Sequence, residues 1–129
     1  TLACCGDDIP EDVTVSHSFS RPEDAASHPG GNAERYVIVA TQGAGDVASL
    51  TTALRMPNSY LAFVGSRKKF ASYRERLLAA GSSASDIDLV RSPAGLHINA
   101  VTPEEIALSV MAEIVQTRRS ERRAEAANG

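Results

Sequence analysis

The stretch YLAFVGSRKKFASYRERLLAAG, residues 60–81, decides the fold because it reads as strand, tight turn and helix in succession. Tyr60 to Val64 is a short apolar run bounded by Pro57-Asn58 and by Gly65, the pattern of a strand buried on both faces. Gly65 lets the backbone turn, Ser66 is a good N-cap, and Gly81 closes the helix. Phe70, Tyr73 and Leu77, joined by Ala71, Arg74 and Leu78, recur at spacings of three and four and predict its buried face. The first turn of this helix carries Arg67, Lys68 and Lys69 at the positive end of the macrodipole, where each cation is unfavourable by roughly 0.3–1 kcal/mol. Two readings fit them. Either the turn is an anion site, with backbone N–H groups and cations around a phosphate, or the cations are solvated and their stems cover apolar neighbours.

Outward from this stretch, the 129 residues form one domain large enough to bury a core. Three Phe, three Tyr and no Trp leave that core to Val, Ile, Leu and Ala, which suits an α/β protein. A net charge of −3 gives no general attraction to nucleic acid or anionic membranes, and no apolar run is long enough to span a bilayer. The expectation is a soluble, cytoplasmic protein without nucleic-acid binding. The chain opens on Thr1 with no export-signal pattern, and the adjacent Cys4-Cys5 pair points to a reducing compartment. These cysteines are read as small apolar strand residues, with soft-metal binding or sulfur carriage as the other reading.

Thr1 to Cys5 predicts a strand ending in Gly6-Asp7-Asp8, where an acid after the second strand of a nucleotide-binding sheet commonly holds a ribose hydroxyl. Asp7 is the candidate, against an exposed acidic turn. Asp12 to Phe19 alternates as a second strand, and Pro22 starts a short helix capped by Ser20 or Arg21. Arg35 to Thr41, with Val37, Ile38, Val39 and Ala40 in one run, is the clearest strand and reads as doubly covered. It leads through Gln42-Gly43-Ala44-Gly45 into a helix with Asp46 as N-cap. That puts Thr41, Gln42 and Gly43 at the carboxyl end of a central strand, where ligands of open α/β sheets bind. Ser83 to Asp86 caps a short helix through Leu89, and the loop from Arg91 to Ala100 has room for one short strand. Thr102-Pro103-Glu104-Glu105 is a capping box opening a long helix whose predicted face is Ile106, Val110 and Ile114 beside Ala107, Met111 and Val115. The domain is read as residues 1–117, with 118–129 a charged helical extension that frays. Alternating strands and helices predict a mostly parallel sheet with helices on both faces.

Tyr36 to Gln42 (YVIVATQ), Phe63 to Lys69 (FVGSRKK), Ser92 to Leu96 (SPAGL), and Thr102 to Ala107 (TPEEIA) with Ala112-Glu113-Ile114 resemble the accessory proteins of molybdenum hydroxylases of the XdhC/CoxI type. The resemblance implies a Rossmann-like three-layer fold that begins at what would be the second strand, lacking the first strand and its glycine-rich turn. It departs at Asn99-Ala100, where the family has Gly-Ala. It also implies a non-catalytic chaperone that binds the molybdenum cofactor, a molybdopterin or its dinucleotide, and assists its sulfuration or insertion into xanthine dehydrogenase or carbon monoxide dehydrogenase. Gly65, Ser66, Arg67 and Lys68 would hold a phosphate, with Thr41, Gln42 and Gly43 in the same crevice and His97 and Asn99 completing it. Implied partners are the hydroxylase apo-enzyme and a cysteine desulfurase, and the missing strand is expected from a second copy, another chain or a preceding N-terminal segment. The alternative is an NAD(P)-binding oxidoreductase, against which stands the lack of a proton-transfer set at useful spacing.

Overall fold

A computed structural model describes residues 3–5, 11–15, 17–27 and 34–128, the first three as backbone only. The elements are β1 (Ala3–Cys5), β2 (His17–Phe19), α1 (Pro22–Ser27), β3 (Tyr36–Val39), α2 (Asp46–Arg55), β4 (Tyr60–Phe63), α3 (Arg67–Ser72), α4 (Arg74–Ala79), α5 (Ala84–Leu89) and α6 (Pro103–Asn128). The expected α/β architecture is present as two parallel pairs, β1 with β2 and β3 with β4. Among the described residues no hydrogen-bonded strand joins the pairs, so the sheet is split at its centre. The second predicted strand is shorter than Asp12–Phe19. It starts at His17, because its pairing spans only the three residues of β1.

All four residues of β4 are buried, as a doubly covered strand requires. Leu61 and Phe63 pack with Val39, Leu50, Ala53, Leu77, Ile87 and Val90, beneath α2, α4 and α5. Tyr60 and Ala62 face the other way and pack with Val110 and Ile114 of α6. This makes three layers. Beyond β4, Arg91 adds a parallel bridge: Phe63 N donates to Arg91 O at 2.9 Å, and Arg91 N donates to Leu61 O at 2.9 Å. The late loop does hold a short strand-like segment.

The expected double cover fails for β3, where Ile38 is 44% exposed. Ile38 pairs with Ala62 across the ladder and so shares the α6 face, but α6 lies over β4. The predicted face of α6 holds at Val110 and Ile114, which are buried, but not at its flank of Ala107, Met111 and Val115. Ser109, Val110, Glu113 and Ile114 are buried, while Leu108, Met111 and Val115 form an exposed apolar stripe.

Local capping follows the sequence. Ser66 Oγ accepts from Lys69 N at 3.0 Å, Ser83 Oγ from Asp86 N at 3.1 Å, and Thr102 Oγ1 from Glu105 N at 3.2 Å while Glu105 accepts from Thr102 N in return. The helix predicted from Ser66 to Gly81 is interrupted at Tyr73, whose N–H bonds back to Phe70 O, and Ala71 and Leu78 are exposed. α6 continues to Asn128, through the charged stretch from Arg118 read as a helical extension.

Gly95 seats the late loop on α6. Its φ is +97°, and a Cβ there would lie 2.1 Å from Ser109 Oγ and 2.9 Å from the Ser109 carbonyl carbon. Gly81 shares the left-handed conformation, φ +100°, but a Cβ there meets nothing within 4 Å. Gly81→Ala is therefore expected to cost about 1–2 kcal/mol of strain. Gly95→Ala should cost about 1–3 kcal/mol more from the forced displacement of α6, as read from urea-unfolding midpoints of the two variants.

Candidate functional site

The residues singled out from sequence fall into two neighbourhoods at the carboxyl ends of β3 and β4. The first is built around Asp46. It was expected to cap α2, but Gly45 is the N-cap and Asp46 is the first helical residue. Its side chain turns back into the loop instead. Oδ1 accepts from the Thr41 hydroxyl and from Gly43 N at 3.2 Å, and Oδ2 accepts from Tyr73 OH at 2.6 Å with Lys69 Nζ at 3.3 Å. The loop needs this clamp because Gln42, Gly43 and Gly45 all have positive φ, of 52°, 90° and 71°. Tyr73 is drawn toward Asp46, which accounts for the helix break beside it. The Asp46 carboxyl is 3% exposed. Burial alone would push its pKa up, but hydrogen bonds from Thr41, Tyr73 and Lys69, with the Lys69 charge, outweigh that and hold it below the usual carboxylate range.

Thr41 and Gly43 are thus brought against Lys69, whose Nζ would lie 3.6 Å from a Cβ on Gly43. Neither Arg67 nor Lys68 takes that place. Sequence reading missed Asp46 and Lys69 in these roles, although one signal was present: Lys69 and Tyr73, four apart, share a helix face and both reach Asp46.

The second neighbourhood is a cleft of about 950 Å³ between the β4–α3 turn, the loop after α5, and α6. Gly65, Ser66 and Arg67 line one wall, and His97 and Asn99 line the other, as grouped from sequence. Thr41, Gln42, Gly43 and Lys68 do not line it. Thr41 and Gly43 gather around Asp46 and Lys69 rather than on the lining of this cleft, and Lys68 is exposed. Gly65 has a reason other than a left-handed turn: a Cβ there would lie 2.5 Å from Phe63 Cε1, so the Phe63 ring needs the space. Asp7 lies outside the described residues.

Glu113, also missed, lines the same cleft and is 9% exposed. Oε1 accepts from Tyr60 OH at 2.7 Å and from Gly95 N at 3.2 Å. Burial first, and then the hydrogen bond to Glu113, push the Tyr60 pKa far up, so this phenol stays protonated at neutral pH. The signal in the sequence was a lone acid inside the apolar stripe of α6, between Val110 and Ile114. Ser92 Oγ, at the cleft wall, is buried without a hydrogen-bond partner.

Replacing Asp46 by Asn is expected to cost about 2 kcal/mol at pH 7, the scale of hydrogen bonds to a buried charge. A carboxyl whose folded pKa is depressed contributes stability that is present above its unfolded pKa of about 3.9 and is lost as pH falls through the folded value. The gap between wild type and Asp46→Asn should therefore be full at pH 7 and narrow below about pH 4, measured by urea unfolding at both pH values.

Comparison with known proteins agrees with the fold. A family model described as the XdhC Rossmann domain matches residues 1–114. An uncharacterized protein, YqeB of Escherichia coli (strain K12), is 33% identical over 85 residues, covering 66% of this chain and 16% of that protein. A solved structure described as a xanthine dehydrogenase from Bacillus halodurans superposes with a TM-score of 0.56 at 25% identity, covering 82% of this chain and 30% of that one. The chain thus spans less than a third of either relative. With its parallel strand pairs and a family model matched over residues 1–114, the chain belongs to the XdhC Rossmann-domain family.

Proposed function

We propose that this domain is a cytoplasmic, non-catalytic maturation module that binds the molybdenum cofactor and assists its sulfuration or insertion into a molybdenum hydroxylase. The observation that carries the reading is the cleft itself. Its volume of about 950 Å³ is of the size that takes a nucleotide-like cofactor. It opens at the carboxyl end of β4, and such sheets bind ligands at the carboxyl ends of their strands. Arg67 stands on its lining to meet a phosphate, and Glu113 supplies a polar atom for a heterocycle. Family membership and the xanthine dehydrogenase description of the Bacillus halodurans structure support the cofactor class. In this reading the Thr41–Gly43 loop is held rigid by Asp46 and Lys69 beside the cleft and shapes its approach.

The hydroxylase apo-enzyme and a cysteine desulfurase are the proposed working partners. The edge of β3, unpaired among the described residues, the exposed Ile38, and the stripe Leu108, Met111 and Val115 are proposed to be covered by a second copy, a second chain or a preceding segment that completes the sheet. A sheet left open at its centre exposes unpaired backbone groups and apolar surface.

Equilibrium binding of the molybdenum cofactor, with NAD as competitor, tests the reading. Arg67→Ala is expected to weaken cofactor binding at least about tenfold, or about 1.4 kcal/mol. Lys68→Ala should leave it nearly unchanged, because Lys68, unlike Arg67, does not line the cleft. Displacement of the cofactor by NAD at comparable concentration would favour an NAD(P)-dependent oxidoreductase instead, and absence of cofactor binding would overturn the proposal.

A further inference from the structure

We propose that Glu113 reads the amino-oxo-pyrimidine edge shared by pterins and guanine, and so sets which end of the ligand enters the cleft first. The proposal rests on the cofactor reading above and names the recognition residue within the same site. Glu113 is buried, and it is fixed from two sides through one oxygen only: Tyr60 OH and Gly95 N both donate to Oε1. Among the described residues no donor reaches Oε2. Oε2 is not among the buried atoms left without a partner, so it stays open to a ligand, and an acceptor-only oxygen on the lining of a cleft selects for a group that brings N–H bonds to it.

Three chemistries could answer that demand. An anion is repelled by the carboxylate, so a phosphate belongs at the other wall, near Arg67. A cationic amine would enter a cleft lined by Arg67 and Arg91, whose other carboxylate, Asp88, is already paired with Arg74 at 2.6 Å, which disfavours it. A neutral heterocycle with a ring N–H beside an exocyclic amino group meets no such repulsion, and its paired donors match an acceptor-only oxygen. Adenine offers a donor beside an acceptor there and does not match. The Gly95 contact adds a reason for the rigidity: no other residue fits against Ser109 at that point, so the N–H that orients Glu113 is held by the packing of the late loop on α6.

The test is calorimetric titration of the full chain with guanosine monophosphate, inosine monophosphate and hydroxymethylpterin. Inosine differs from guanosine only by the missing amino group. Guanosine monophosphate is expected to bind at least about tenfold tighter than inosine monophosphate. Glu113→Gln keeps an acceptor for Tyr60 and Gly95 but turns the free oxygen into a donor, and it should erase that preference. Tighter binding of the pterin than of guanosine monophosphate would assign the edge to a pterin, and the reverse order to a guanine nucleotide. Equal affinity for the two nucleotides, binding of neither, or a preference that survives Glu113→Gln would overturn the proposal. The nucleotide comparison needs no variant, so it decides even if Glu113→Gln unfolds. Molybdenum-cofactor binding that persists while guanosine and inosine bind alike would refute the role of Glu113 and leave the cofactor reading standing.

Discussion

Burial of β4 on both faces is the constraint on which the rest of the structure depends. Tyr60, Leu61, Ala62 and Phe63 are each 5% exposed or less, and their alternation sends two side chains into each of two cores. Burying a large apolar side chain contributes about 1.5–3 kcal/mol, so this strand supplies the main reason for helices to lie on both sides of the sheet. It also fixes where the cleft opens. The chain leaves β4 at Gly65, tight against Phe63, and returns beside it at Arg91, and the space between these exits and α6 is the cleft.

The same strand ties the architecture to the chemistry. Tyr60 is a core residue on the α6 side, and its hydroxyl is also what orients Glu113. On the opposite face, Phe63 packs edge-on against Tyr73, whose hydroxyl helps hold Asp46 and through it the Thr41–Gly43 loop. Both neighbourhoods are therefore anchored on side chains of, or packed on, one rigid strand. That is the condition for polar groups to keep the geometry a ligand needs.

What the sequence made legible was local. Ser66, Ser83 and the Thr102–Glu105 box cap the helices they were read to cap, because a cap is decided within four residues. The apolar runs at β3 and β4 were legible for the same reason. What escaped depended on contacts far along the chain. The break at Tyr73 answers to Asp46, 27 residues away, and the buried side of α6 is set by Tyr60, 53 residues from Glu113. Periodicity alone could not show that Met111 and Val115 lie exposed while Ser109 and Glu113 are buried. The family resemblance carried the fold and the grouping of Gly65, Ser66 and Arg67 with His97 and Asn99. It grouped Thr41 and Gly43 with them, because residues at neighbouring strand ends look equivalent until Lys69 is seen to occupy the ground between Thr41, Gly43 and Asp46.

The central claim is that one cleft, between the β4–α3 turn and the Gly95 loop on α6, receives the cofactor. Backbone amide shifts recorded while molybdenum cofactor is added to the isotope-labelled chain test this most directly. The account expects the largest changes at Gly65 to Arg67, at Gly95 to Asn99 and around Glu113, with small changes in the charged residues 118–128. Changes confined to the Thr41–Gly45 loop or to the end of α6, with the cleft residues unmoved, would contradict it.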